Sequence, residues 1–175
     1  MSLTNDPFMD GGVDSELREL EDENKKLKEA LEYYANILTP FSASLKKTLE
    51  EVIALNLPIE IIATSHGVIW RDNPMQIVEK YAKWCDNYQE NQITIIYDTM
   101  WNGTKTLAEK IAEGIAFEDK DVTVKIFNLA KCDNNDLISE VFKSKTVLIG
   151  SPTVGNSVLH PVAGFIHFMK ELKFK

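Results

Sequence analysis

Ile93-Thr94-Ile95-Ile96-Tyr97-Asp98-Thr99-Met100-Trp101-Asn102-Gly103-Thr104 is the stretch whose reading decides the fold. Ile93–Tyr97 is a run of β-prone residues and reads as a strand. A turn carrying hydroxyls, an Asn and a Gly follows, and the pattern then predicts a helix over Thr104–Ala116. A strand–loop–helix unit of this kind aims several backbone N–H groups at one spot. The helix dipole adds about half a positive charge there. Thr99 and Thr104 can donate hydroxyl hydrogens, and Gly103 is expected to allow backbone geometry that a side chain would block. The ligand that suits such a loop is a terminal phosphate monoester. No Gly-Lys-Ser/Thr ends the loop, so it is not a P-loop, and the Gly-x-Gly-x-x-Gly dinucleotide fingerprint is absent. The alternative is an ordinary βα loop that binds nothing.

Toward the C-terminus, strands are expected at Val122–Leu129 and Thr146–Gly150, and helices at Asn135–Lys143 and Pro161–Leu172. The order β-α-β-α-β-α implies a parallel α/β sheet. The third strand runs into Ser151-Pro152-Thr153-Val154-Gly155-Asn156. In an open parallel sheet, ligands sit beyond the carboxyl ends of the strands, at the switch point between strands one and three. The two loops follow those strands. The first is expected to hold phosphate and the second to wall a flat ring with backbone amides.

Before Gln92 the chain reads as two or three helices and one short strand. In the helical segment Asp14–Leu38, the positions Leu17, Leu20, Asn24, Leu27, Leu31, Tyr34 and Leu38 recur at alternating spacings of three and four. That is a heptad with Asn24 at an a position, a known register device in parallel dimers. It fits either an amphipathic helix packed on its own domain or a self-association helix. Pro40 interrupts it, and Ser42–Leu55 reads as a second helix. Ile59–Thr64 reads as a buried strand ending in Ser65-His66-Gly67. Asn73-Pro74 then opens a helix that is expected to reach about Tyr88.

The 175 residues are 44% hydrophobic and 26% charged, with a net charge of −8, which places the chain among globular proteins. No basic stripe offers phosphate neutralisation, so nucleic acid is not an expected partner. No apolar run approaches the roughly 20 residues that span a bilayer. Met1–Asp14 lacks the pattern of a signal peptide. Cys85 and Cys132 lack metal-type spacing and read as reduced thiols in a cytoplasmic protein.

Ile96-Tyr97-Asp98-Thr99-Met100-Trp101, with Asn102-Gly103-Thr104 behind it, and Gly150-Ser151-Pro152-Thr153 resemble the FMN loops of flavodiiron proteins. Those proteins join a metallo-β-lactamase-like di-iron domain to a flavodoxin-like FMN domain. The first half is similar to the same family in three places. Tyr33–Phe41 resembles a helix of the di-iron domain. Ala63–Arg71 resembles its last metal loop, in which the His is an iron ligand. Thr4–Phe8 resembles the segment bearing a bridging Asp, although Pro7 and Met9 stand where the family usually has Ala and Gly.

The resemblance implies a partial flavodoxin-like α/β fold of three parallel strands, spanning 91–175. It is preceded over 1–90 by a helical C-terminal segment of a metallo-β-lactamase-like domain and a linker helix. It implies FMN held by Thr99, Met100, Trp101, Asn102, Gly103, Thr104 and Ser151, Pro152, Thr153, Val154, Gly155, Asn156, with Trp101 covering the ring. It implies iron at His66 and Asp6. The activity would be reduction of oxygen to water or of nitric oxide to nitrous oxide, with a rubredoxin-like electron donor and a homo-oligomer. The alternative is a non-catalytic dimerising module built on the heptad helix 17–38. The family's His-x-Glu-x-Asp-His cluster and third FMN loop do not occur in this sequence. The expectation is therefore a fragment across the junction of the two domains, inert alone. His160, His167, Trp84 and Tyr88 read as non-functional. Trp70 and Arg71 stand either near a cofactor or as one packed and one surface residue.

Overall fold

The computed structural model describes residues 10–174, with side chains from residue 17 onward. Asp6 and its neighbours lie outside the described residues.

The C-terminal half is built on β3 (Glu90–Tyr97), flanked in parallel by β4 (Thr123–Asn128) and β5 (Ser144–Gly150), in the order β4-β3-β5. Numbered within this sheet the order is 2-1-3, as at the start of a flavodoxin-like fold. The β-branched residues of β3 explain its central place, because their side chains alternate between two buried faces. Ile93, Ile95 and Tyr97 meet Ala108 and Ala112 of α4 (Gly103–Glu118). Ile96 meets Leu137, Ile138 and Val141 of α5 (Asn134–Lys143), and Val162, Phe165 and Leu172 of α6 (His160–Leu172). One helix thus covers one face and two cover the other. The expected strands and helices of this half are all present, longer or shorter by one to three residues at their ends.

The N-terminal half begins with α1 (Asp10–Tyr33), which runs into one π turn at Tyr34–Leu38 and one 3-10 turn at Thr39–Phe41. Pro40 has no N–H to continue the α pattern and restricts the residue before it, so the helix must change its bonding there. The Thr39 hydroxyl donates to the carbonyls of Tyr34 and Ala35, at 3.2 and 3.0 Å, and holds the widened turn. Tyr34 and Ala35, both 0% exposed, enter different cores. Tyr34 joins Trp70, Ile77, Val78 and Trp84, whereas Ala35 joins the α5–α6 face of the sheet. Helix α2 (Ser42–Ala54) and α3 (Met75–Trp84) complete the first core.

Three expectations change here. The heptad stripe is divided: Leu27, Leu31, Tyr34 and Leu38 pack on the chain's own core, while Leu17 and Leu20 are 51% and 55% exposed and Asn24 is exposed. One heptad left free is too short for a coiled coil, so the packed-helix reading holds for most of the stripe. The run Ile59–Thr64 is not a buried strand. Within it only Ile62–Ala63 (β1) is paired, antiparallel with Ile69–Trp70 (β2), and Ile61 is 51% exposed. Helix α3 stops at Trp84 rather than Tyr88, and Asn87 turns the chain with φ 52°.

At the amino end of the sheet, one extra residue of β3 is accommodated between the pairs Glu90–Ser144 and Ile93–Thr146. Gln92 fills the irregularity, donating to Glu140 Oε2 (2.9 Å), Thr94 Oγ1 (3.1 Å) and Ser144 Oγ (3.1 Å). Lys125 and Lys143 donate to the two Glu140 carboxylate oxygens at 2.7 and 2.8 Å. Burial pushes the Glu140 pKa up, but the hydrogen bonds from Lys125, Lys143 and Gln92 outweigh it and leave the carboxyl below its usual value. A depressed carboxyl stabilises the fold above its unfolded pKa, about 4.3, and loses that contribution as pH falls through the lower folded value. Glu140→Gln is therefore expected to cost about 2 kcal/mol at pH 7, and the variant and parent to converge in urea midpoint as the pH is taken below about 4.

Candidate functional site

The two loops singled out in the sequence leave the sheet side by side. Tyr97 lies opposite Gly150, and the Asp98 N–H donates to the Gly150 carbonyl at 3.1 Å. The crevice between β3 and β5 is the switch point, and both loops open at its carboxyl end.

In the first loop, Asp98 is buried and its Oδ1 accepts from the Thr99 N–H at 2.7 Å. That bond turns the chain out of the strand. Thr99 Oγ1 is buried and has no hydrogen-bond partner. A buried hydroxyl without a partner costs about 1–3 kcal/mol, so it calls for an explanation. Asn102 is the N-cap of α4, with φ 63°, and its side chain makes no cap bond. By contrast, Asp133 caps α5 by accepting from the Asn135 N–H at 2.8 Å. The first amides of α4 thus receive no side-chain cap, and Thr104 at its first turn is half-buried.

Gly103 does not play the expected part. The left-handed residue is Asn102, and a Cβ at Gly103 would meet nothing within 4 Å. Asn tolerates that conformation because its short polar side chain suits it. Met100 is exposed, and Trp101 is 88% exposed, covering nothing within the chain.

The second loop is more self-contained than expected. Val154 and Ser157 exchange backbone hydrogen bonds at 2.8 and 2.9 Å around Gly155 and Asn156, whose φ values are 56° and 64°. Two successive positive φ angles between an exchanging pair describe a type I′ turn. The amides of Val154 and Ser157 are therefore occupied. Ser151 Oγ accepts from the Leu159 N–H at 2.9 Å and donates to the Pro152 carbonyl, which ties the loop to the start of α6. Thr153 through Asn156 are exposed at the crevice.

His66 lies on the turn between β1 and β2. It is exposed, its ring is 5.6 Å from that of Tyr33, and its carbonyl accepts from Thr64 Oγ1 at 2.6 Å. Among the described residues no group of three or more His, Cys, Asp or Glu side chains could hold a metal ion. The donor set present does not fit a di-iron centre, and Asp6 lies outside the described residues. His160 and His167 are exposed on α6. Trp70 is packed in the first core and Arg71 is exposed. Both cysteines are free and half-buried, and burial pushes the Cys85 thiol up, which suits packing rather than reactivity.

The flavodoxin family profile matches residues 95–175. An anaerobic nitric oxide reductase flavorubredoxin from Klebsiella pneumoniae subsp. pneumoniae is 48% identical over 174 residues, covering 99% of this chain and 36% of that protein. Over nearly all of its length the chain is thus similar in sequence to one stretch of the flavorubredoxins. It spans 36% of the length of the curated relatives it matches. The solved rubredoxin oxygen:oxidoreductase of Desulfovibrio gigas superposes with a TM-score of 0.77 at 34% identity, over 83% of this chain and 36% of that one. The flavodiiron protein of Giardia intestinalis does so with 0.74 at 27% identity, over 81% and 34%. The two loops thus leave a flavodoxin-like sheet.

Gly150 is quoted with the second loop in the sequence but is given no role of its own there. A glycine ending a strand signals a close approach of other atoms, and that signal was present.

The left-handed Asn102 can be tested without ligand. Asn102→Val places a β-branched residue at positive φ and is expected to cost about 1–2 kcal/mol, whereas Asn102→Gly should be neutral or slightly stabilising, both read by thermal melting.

Proposed function

We propose that residues 98–104 and 151–156 are the phosphate-holding and ring-facing loops of an FMN site, in a chain that serves electron transfer within a flavodiiron oxidoreductase. The observation that carries this reading is the buried, unpartnered Thr99 hydroxyl beside the side-chain-uncapped start of α4. A dianionic phosphate answers both: it accepts from the hydroxyl, and it meets free amides at the positive end of a helix. Met100, Trp101, Asn102, Gly103 and Thr104 complete the first loop. Ser151, Pro152, Thr153, Val154, Gly155 and Asn156 form the second. The exposed Trp101 ring is available to cover a flat aromatic ligand. FMN would supply the capacity to exchange one or two electrons.

In this reading residues 91–175 are the first half of the FMN domain, and residues 1–90 are the end of a di-iron domain with its linker helix. The relatives' names support a parent enzyme that reduces nitric oxide or oxygen, with a rubredoxin-like donor. His66 and Asp6 would be two ligands of its iron, and since they cannot build that centre alone, we propose that this chain by itself is catalytically inert. A cytoplasmic homo-oligomer fits the resemblance, and no helix among the described residues is long and apolar enough to cross a membrane.

The test is titration of the purified chain with FMN and with riboflavin, which lacks the phosphate, followed by flavin fluorescence. FMN is expected to be quenched and to bind more tightly than riboflavin; no quenching by the chain defeats the reading. Thr99→Val should narrow the preference for FMN about tenfold or more. The same substitution should leave the ligand-free chain as stable as before or more so, because it removes a buried hydroxyl that has no partner.

A further inference from the structure

We infer that Gly150 is a positioning residue of the phosphate loop, and that its missing side chain sets where Thr104 and the start of α4 stand; this rests on the FMN reading above. Among the glycines from Gly67 onward, Gly150 is the one whose absent Cβ is crowded by neighbouring atoms. A Cβ there would lie 3.0 Å from Thr104 Cγ2 and 3.3 Å from Tyr97 Cβ. At Gly103, Gly114, Gly155 and Gly164 the same atom would meet nothing within 4 Å, and at Gly67 only Thr64 Oγ1 at 3.8 Å. The φ of Gly150 is not in the left-handed region, so backbone conformation does not call for glycine. Space does.

The occupant of that space is the methyl of Thr104, in the first turn of α4. Thr104 is β-branched, so its χ1 is stiff, and fixing the methyl fixes the hydroxyl as well. Gly150 is also the last residue of β5 and the neighbour of Ser151, and its carbonyl accepts from the Asp98 N–H. One contact therefore joins the amino end of α4, the exit of β3 and the start of the second loop. It draws the helix start into the crevice between β3 and β5 and sets the spacing between the phosphate end and the ring end of the ligand. A methyl at position 150 would push the first turn of α4 away from β5 while leaving the residue types of both loops unchanged.

The prediction differs from that of a purely structural glycine. Loss of fold stability alone would weaken FMN and riboflavin together. Displacement of the phosphate loop would weaken FMN selectively. The experiment measures FMN and riboflavin affinity, with melting temperature, for the 175-residue chain, for Gly150→Ala, and for Gly150→Ala combined with Thr104→Ser. The serine keeps the hydroxyl and removes the crowding methyl. Gly150→Ala is expected to lower the FMN-over-riboflavin ratio about tenfold, the scale of a modest overpacking, and the double variant to regain most of the ratio and of the melting temperature. A single variant whose two affinities fall by the same factor, or a double variant no better than the single one, overturns the inference. A parent chain that quenches neither flavin defeats the FMN reading itself and is thereby told apart.

Discussion

Strand β3 is hydrogen-bonded along both edges and covered on both faces, and everything else in the C-terminal half is arranged by that condition. A strand enclosed on both sides must carry residues that tolerate burial, and Gln92 and Thr94 through Asp98 are buried, with Ile93 half-buried between them. Its side chains divide between the α4 face and the α5–α6 face, which assigns each helix to its side. Pairing β3 with β4 on one edge and β5 on the other places the exits of β3 and β5 next to each other. The crevice is a consequence of that strand order, and so is the approach of Thr104 to Gly150.

The amino end of the same strand meets a different requirement. Gln92, Thr94 and Ser144 are polar and buried, and each finds its partners in the cluster around Glu140. Half-satisfied, such a cluster would destabilise the sheet; fully satisfied, it specifies one register. The irregularity between Glu90 and Ile93 is locked there, so the pairing from Ile93 to Tyr97 runs without slippage to the opposite end. The polar cluster and the candidate site stand at the two ends of one ladder, and the first sets the alignment that the second needs. The contrast between them is informative: polar groups at the amino end are mutually satisfied, whereas Thr99 Oγ1 at the carboxyl end is not.

The sheet and its helices were legible because their signals are local. Ile93–Tyr97 and Thr146–Gly150 are apolar runs of strand length, and Asn135 and Asp136 mark a helix start close to the true one. What was not legible depends on contacts across the chain. Ile59–Thr64 has the composition of a buried strand, but burial needs a partner, and Ile69–Trp70 is too short to show a period in sequence. The heptad over Leu17–Leu38 is real as a pattern, yet pattern alone does not say that its second half is consumed by Trp70, Ile77 and Val78. In the two loops, some local backbone details were not legible. Glycine preference pointed to Gly103 for the strained position, where Asn102 serves. Gly155-Asn156 is a visible turn signal, but the resulting bond pairing removes two amides that the sequence left free. Gly150 mattered through a neighbour 46 positions earlier in the chain, Thr104, and such pairs are written only in three dimensions.

The two cofactors implied by the resemblance differ in the same way. A phosphate cradle is a local object: one strand exit, one turn and one helix start supply the hydroxyl, the amides and the dipole. On the reading proposed above it lies within Asp98–Thr104, and its one long-range need is the room left at Gly150. A di-iron centre is a non-local object, requiring carboxylates and imidazoles from several segments to converge at bonding distance. His66 stands at the tip of a two-residue hairpin with an aromatic neighbour and no carboxylate cluster among the described residues. That difference is why a short stretch of chain can be proposed for the phosphate, whereas the described residues do not fit the metal. Motif resemblance reports ancestry equally for both; only the convergence of donors reports what a given stretch of chain can hold.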